Sequence, residues 1–249
     1  MATVAIIPAR LNSSRLPRKV LLAETGKPLI AHVVEAVRRS ARLDRVIVAA
    51  DDQAIADALA PYQVHVVMTD PDHPNGTARL AQAARILDLS TDDIIVNIQG
   101  DEPELDPDLI DAAVDAFVDS GEPMGTLVSP LGLGDDAADS ALVKAVIRQG
   151  QDGIHRAVYF SRAPVPHDRD GAGVLRYKHA GIYVYRRAFL EYFAALPVSV
   201  LERAEQLEQL RAIEAGAGIS VAVRAFTHKG IDTPPDYRAF VERMRKKIG

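Results

Sequence analysis

Four cations, Arg10, Arg15, Arg18 and Lys19, fall within ten residues of one another just after the apolar run Val4-Ala-Ile-Ile7. So dense a set suits a phosphate-rich anion: guanidinium forks make bidentate contacts to phosphate oxygens, and an ammonium acts as a mobile point charge. The loop contains no glycine. It is therefore neither a dinucleotide fingerprint nor a P-loop, and side chains rather than backbone amides must hold the anion. A solvated basic turn is the plainer alternative. Two carboxylates supply complementary chemistry: Asp101 in Gln99-Gly-Asp-Glu-Pro103 and Asp232 in Gly230-Ile-Asp-Thr-Pro234. Two carboxylates beside a polyphosphate are what Mg²⁺ commonly receives from protein, with phosphate oxygens and waters completing its octahedron. Each acid also has a plain reading, Asp101 as a salt bridge that braces the basic loop and Asp232 as a helix-start or turn residue.

These side chains need a scaffold that brings distant positions together. Residues 4–7 run without polar alternation and predict a strand buried on both faces, ended by Pro8. The basic loop then leaves the strand's carboxyl end, where open α/β sheets bind ligands. Apolar spacing predicts a helix over 29–40 after Gly26-Lys-Pro28, a second strand over 45–50, and a helix to residue 60 capped by Asp51. A third strand follows at 64–68, then a turn-rich loop over 69–77. The helix over 77–87 has an N-terminus that could meet an anion or a base. A fourth strand at 93–98 feeds Asp101, and Pro107 starts a helix to about 120. This alternation predicts a doubly wound, mainly parallel α/β sheet. Beyond residue 123 the pattern changes to strands at 124–131 and 143–147, an acidic unpatterned stretch at 132–141, a polar loop over 162–173 and an alternating run over 175–185. Helices over 187–196 and 200–215, a strand at 219–226 and a helix from Pro234 complete the chain.

Composition narrows the chemistry. With 249 residues, 29 Lys and Arg against 34 Asp and Glu, and a net charge of −5, the surface as a whole does not attract nucleic acid or anionic membrane. The absence of cysteine excludes disulfides, thiol nucleophiles and thiolate-held metals, so any metal is held by oxygen or imidazole. No signal-like segment or apolar run of spanning length is present, and the expected compartment is the cytoplasm. Few aromatics and no tryptophan suit helices on a sheet rather than a stacking platform for single strands.

An ordered series of short motifs carries a family resemblance. It comprises Ile7-Pro-Ala-Arg10, Ser14-Arg-Leu-Pro17 with Lys19, Gly26-Lys-Pro28, Asn75-Gly-Thr77 with Arg79, and Val96-Asn-Ile-Gln-Gly-Asp-Glu-Pro103. Tyr159-Phe-Ser-Arg-Ala163, His179-Ala-Gly-Ile-Tyr183, Leu207-Glu-Gln-Leu-Arg211 and Gly230-Ile-Asp-Thr-Pro234 follow in the same order. Together they resemble the cytidylyltransferases that activate 3-deoxy-manno-octulosonate (KDO).

The resemblance implies a single domain over 1–249 with a three-layer, Rossmann-like nucleotide-diphospho-sugar transferase fold and a small mixed β insertion. Residues 1–123 would form the nucleotide-binding half and 124–249 the sugar-binding and dimerisation half. It further implies a homodimer that uses Mg²⁺, CTP and KDO to make CMP-KDO for lipopolysaccharide or another surface glycan. Pro8, Ala9, Arg10, Arg15, Lys19, Asn75, Gly76, Arg79 and Asp101 would bind CTP. Asp101 and Asp232 would ligate the metal and, with Arg15 and Lys19, form the catalytic set. Gln99, Arg162, His179, Tyr183, Glu208 and Gln209 would line the sugar pocket, with Arg162 gripping a carboxylate. Each pocket residue has a plain counterpart: His179 a bonded core histidine, Tyr183 sheet packing, Glu208 a solvated helix charge. The chain departs from the family pattern at Arg18, where glycine is usual, at Ala78, where an acid is common, and in Lys178-His-Ala180. Those departures leave open an amino variant of KDO or a sialic-acid-like nonulosonate as substrate, and a non-catalytic nucleotide-binding protein is the rival from another class.

Overall fold

In a computed structural model that describes residues 1–13 and 15–248, the N-terminal apolar run forms strand β1 (Thr3–Ala9), with Val4 to Ile7 fully buried. Ser14 of the Ser14-Arg-Leu-Pro17 motif lies outside the described residues. By their contacts the residues group into two units, Met1–Ile110 with Thr227–Gly249, and Asp111–Phe226. The last 23 residues therefore join the first unit rather than the 124–249 half.

In the first unit β1 is joined by β2 (Arg45–Ala50), β3 (His65–Met68) and β4 (Ile94–Asn97), all parallel, in the order β3-β2-β1-β4. Strand β1 does not end at Pro8: its register with β2 continues to Ala9 opposite Ala50. Pairing with β4 stops at Ile6. Past that point β1 has an unpaired side, the kind of position where a residue without an N–H is tolerated. Helices α1 (Leu29–Val37), α2 (Gln53–Leu59) and α3 (Gly76–Ile86) make the connections. Two step outward from β1 to β3 and the third returns to β4, so right-handed crossovers put α3 on the opposite face from α1 and α2. The direction of winding reverses between β1 and β4. Ligand crevices of open α/β sheets form at such a switch point. The loops that leave β1 and β4 there carry the four cations and Asp101.

Helix α4 (Pro107–Ser120) leads into the second unit, whose strands are β5 (Met124–Pro130), β6 (Lys144–Gln149), β7 (His155–Ser161), β8 (Tyr177–Arg186) and β9 (Ile219–Val223). Their order is β8-β5-β9-β7-β6, with β5 antiparallel to β8 and parallel to β9. Strand β7 has no counterpart in the sequence-based expectation. After α5 (Arg187–Ala195), the single helix expected over 200–215 is two short ones, α6 (Val200–Glu205) and α7 (Gln209–Glu214). Ser199 and Glu202 form a reciprocal capping box at the start of α6, which ends where Gln206 turns left-handed at φ 55°. The Arg162 side chain takes the carbonyls of Glu205 and Gln206, which a continuous helix would use itself.

The chain then returns to the first unit with α8 (Pro234–Ile248). Phe240, Tyr237 and Val241 of this helix share an apolar cluster with Leu29, Ile231 and Leu16. Leu16 pins the basic loop from beneath and Ile231 pins the segment holding Asp232, so burial of one cluster sets both beside each other.

Candidate active site

The decisive geometry is at Lys19. Its Nζ donates to Asp101 Oδ2 at 2.6 Å and to Asp232 Oδ1 at 3.1 Å. Two carboxylates 131 positions apart thus have oxygens within 5.7 Å, the sum of those distances. Arg15 adds a second cation to Asp232 at 3.0 Å from an exposed position, whereas Lys19 is buried. The Asp101 backbone is held as well, its carbonyl accepting from Ile231 N at 2.8 Å. Burial pushes the Asp101 carboxyl above the usual carboxylate range, against the pull of the Lys19 ammonium. Positive charge at this point is what ionised Asp101 requires. Among the described residues no three acids or histidines form a metal cage. Two carboxylates that leave most of a coordination sphere to phosphate and water suit Mg²⁺ rather than a structural metal.

Gly100 precedes this aspartate because nothing larger fits: a Cβ there would lie 2.9 Å from the Pro8 carbonyl oxygen. The loop after β4 therefore lies against the backbone at the end of β1. Arg18 meets its expected difficulty directly. It adopts φ 53°, ψ 29° at the head of the short 3₁₀ turn Lys19–Leu21, so the path that favours glycine is kept by an arginine.

The expected CTP residues divide. Arg10 is exposed with no ion-pair partner among the described residues, free to reach an anion. Asn75 caps α3, its side chain accepting from Ala78 N at 2.9 Å, and Gly76 approaches the Pro8 ring, so the end of β1 at Pro8 and the head of α3 lie side by side. Arg79 is buried instead: its Nη1 donates to Thr69 Oγ1 at 2.6 Å and its Nη2 lies 3.5 Å from Asp51. It clamps the turn that presents Asn75 and Gly76. The cap of α2 is Asp52, bonded to Ala54 N, which frees Asp51 to accept from Leu11 N at 2.9 Å and hold the start of the basic loop.

In the second unit β8 sets His179 and Tyr183 side by side, ring centroids 5.3 Å apart, with Phe160 edge-on to the imidazole at 5.0 Å. Burial lowers the His179 pKa to about 3, so the ring is neutral. Burial and then the charge of Glu208 hold the Tyr183 hydroxyl well above its ordinary range. Gln209 is buried, and among the described residues its Nε2 has no hydrogen-bond partner. Arg162 does not present a free fork: Nε donates to Glu205 O at 2.8 Å, Nη1 to Ser140 O at 2.9 Å and Nη2 to Gln206 O at 3.4 Å. It acts as a strap joining β7 to the end of α6. Gln99, half-buried after β4, belongs to the first unit.

Several residues of these clusters escape sequence reasoning. Asp51 ends a parallel strand at the same sheet edge as Asp101, so the rule that selected one could select the other. Glu205 accepts from Ser161 Oγ at 2.6 Å and Arg162 N at 2.9 Å, and Thr126 touches His179; nothing in spacing marks either. Among the described residues no helix is long and apolar enough to cross a membrane.

Comparison with known proteins agrees with this geometry. A family model described as cytidylyltransferase matches residues 4–221. The 3-deoxy-manno-octulosonate cytidylyltransferase of Syntrophobacter fumaroxidans is 48% identical, over 97% of this chain and 96% of the relative. The 8-amino-3,8-dideoxy-manno-octulosonate cytidylyltransferase of Shewanella frigidimarina is 42% identical over 96% of each. A solved structure of CMP:2-keto-3-deoxy-manno-octonic acid synthetase complexed with CTP superposes with a TM-score of 0.91 at 37% identity, covering 99% of this chain and all of the other. A sheet wound about a switch point with acids and cations gathered at its edge, and a match over most of the chain's length, make this protein a member of the cytidylyltransferase family.

Proposed function

We propose that the chain couples CTP to 3-deoxy-manno-octulosonate, forming CMP-KDO and pyrophosphate for surface-glycan synthesis, as a Mg²⁺-dependent homodimer in the cytoplasm. The observation that carries this reading is the convergence of Asp101 and Asp232 on one cation beside the basic loop. Similarity to relatives named for this reaction, one at 48% identity, supports the substrate pair. Asp101 and Asp232 would hold Mg²⁺, which when bound lowers the pKa of the attacking hydroxyl and shields phosphate charge.

The residues do the rest electrostatically. Arg10 and Arg15, both exposed, bind triphosphate oxygens, and Arg15 and Lys19 stabilise negative charge as pyrophosphate departs. The anomeric hydroxyl of the sugar acid attacks the α-phosphorus, the bond to the pyrophosphate oxygen breaks, and the hydroxyl proton passes to solvent. Neutral His179, Tyr183, Glu208 and buried Gln209 offer hydrogen bonds to sugar hydroxyls rather than a cationic grip.

A second reading, the 8-amino analogue as substrate, is favoured by the relative of that name at 42% identity. Pyrophosphate release from CTP and Mg²⁺ with KDO, its 8-amino analogue and a nonulosonate decides among them. KDO should give the highest kcat/KM. Release with the 8-amino sugar alone reassigns the substrate, and release with none overturns the enzymatic reading.

A further inference from the structure

Thr126 lies on β5, fully buried, where the pairing with β8 slips: Thr126 stands opposite Tyr183, but the next residue, Leu127, stands opposite Ala180. Its hydroxyl has two close neighbours, the carbonyl oxygen of Ile182 at 2.7 Å and the Nε2 of His179 at 2.9 Å. A carbonyl only accepts, so the single hydroxyl proton goes to Ile182 and the oxygen faces His179 with its lone pairs. The imidazole nitrogen opposite a lone pair must carry hydrogen. Phe160 and Tyr183 pack against the ring, and Nε2 is the nitrogen that faces Thr126. Nδ1 then keeps a lone pair, and among the described residues it has no hydrogen-bond partner.

We propose that Thr126 is a positioning residue for the sugar acid: it holds His179 as the Nε2–H tautomer, so that Nδ1 accepts a hydrogen bond from a sugar hydroxyl. The burial that keeps His179 neutral acts in the same direction. The device selects by chemistry. A nitrogen lone pair takes a hydroxyl or ammonium donor and disfavours a carboxylate, so His179 reads the polyol part of the substrate and not its acid group. The inference rests on the second-unit cluster being the sugar site, but its first readout does not.

That readout is the histidine tautomer in the unliganded protein, from long-range ¹H–¹⁵N correlation of the imidazole at neutral pH, assigned with His179→Gln. The Nε2-bound hydrogen should be found in the parent and in Thr126→Ser, and the preference should be lost in Thr126→Val. In steady-state assays Thr126→Val should raise the KM for the sugar acid about tenfold, as expected for one hydrogen bond, with the KM for CTP unchanged, and Thr126→Ser should restore it. An Nδ1–H tautomer or an imidazolium in the parent overturns the proposal even if Thr126→Val does not fold. So does a changed tautomer with an unchanged sugar KM. A correct tautomer in a parent that releases no pyrophosphate with any sugar acid would instead fault the substrate reading alone.

Discussion

Lys19 and the two aspartates around it illustrate how function costs stability at single residues. Burial makes the charged form of Asp101 unfavourable, and a carboxyl whose folded pKa is raised contributes its stability at low pH and loses it as pH rises above the ordinary range. At pH 7 the ionised group is therefore a burden on the fold. Asp101→Asn should abolish pyrophosphate release while leaving the Tm at pH 7 no lower than the parent's. Mg²⁺ should raise the Tm of the parent and not of the variant; an equal rise in both would remove Asp101 from the metal site. Arg18 is a separable cost. A non-glycine residue in the left-handed region costs on the order of 1 kcal/mol, and Arg18 is exposed there at φ 53°. Arg18→Gly should raise unfolding stability in urea by about that amount. A decrease would mean that the arginine makes a contact worth more than its strain.

Elements differ in how plainly the chain announces them. Strands β1 to β4 are short apolar runs bounded by turn residues, each ending in a loop at one edge, and the rule that ligands gather at carboxyl ends selected Lys19 and Asp101 without coordinates. The meeting of Asp101 with Asp232 was expected from their chemistry and from the family resemblance but not from spacing, because the shared cluster of Leu16, Ile231 and α8 is a tertiary fact. Arg162 read as a carboxylate grip because isolated guanidinium groups suit that role; its carbonyl partners at 140, 205 and 206 become neighbours only after folding. Strand β7 hid for a related reason: its burial does not alternate, since His155 to Ala157 are all half-buried. The break between α6 and α7 was invisible because the leucine spacing continues across it. That break yields a prediction. Gln206 occupies a left-handed cap position at φ 55°, where glycine is preferred. Gln206→Gly should stabilise the second unit by about 1 kcal/mol, and Gln206→Val should destabilise it by at least as much. Equal midpoints in guanidinium chloride would show that the cap carries no strain.

Across the whole molecule, buried histidines contribute to acid sensitivity, His32 as well as His179. His32, on α1, is buried edge-on against Phe240 and bonded to Thr25 Oγ1 at 2.7 Å. Burial, then the charge of Lys27, lowers its pKa to about 4. A histidine with a depressed folded pKa takes up its proton more readily when unfolded. Its contribution is complete above the unfolded pKa near 6.5 and is lost as pH falls toward 4, at up to about 1.4 kcal/mol per pH unit. His32→Gln should flatten the fall in unfolding free energy between pH 6.5 and 4 by about one proton, and an unchanged slope would place the sensitivity elsewhere. The dissection of the chain into units, with 1–110 and 227–249 in one and 111–226 in the other, has a consequence during biosynthesis. A nascent polypeptide presents Lys19 and Asp101 while the segment bearing Asp232 is still untranslated, and at common elongation rates the interval is on the order of ten seconds. Throughout it the ribosome-bound protein has one of the two acids and half of the apolar anchor beneath them, so the arrangement about Lys19 cannot form before α8 has emerged and docked.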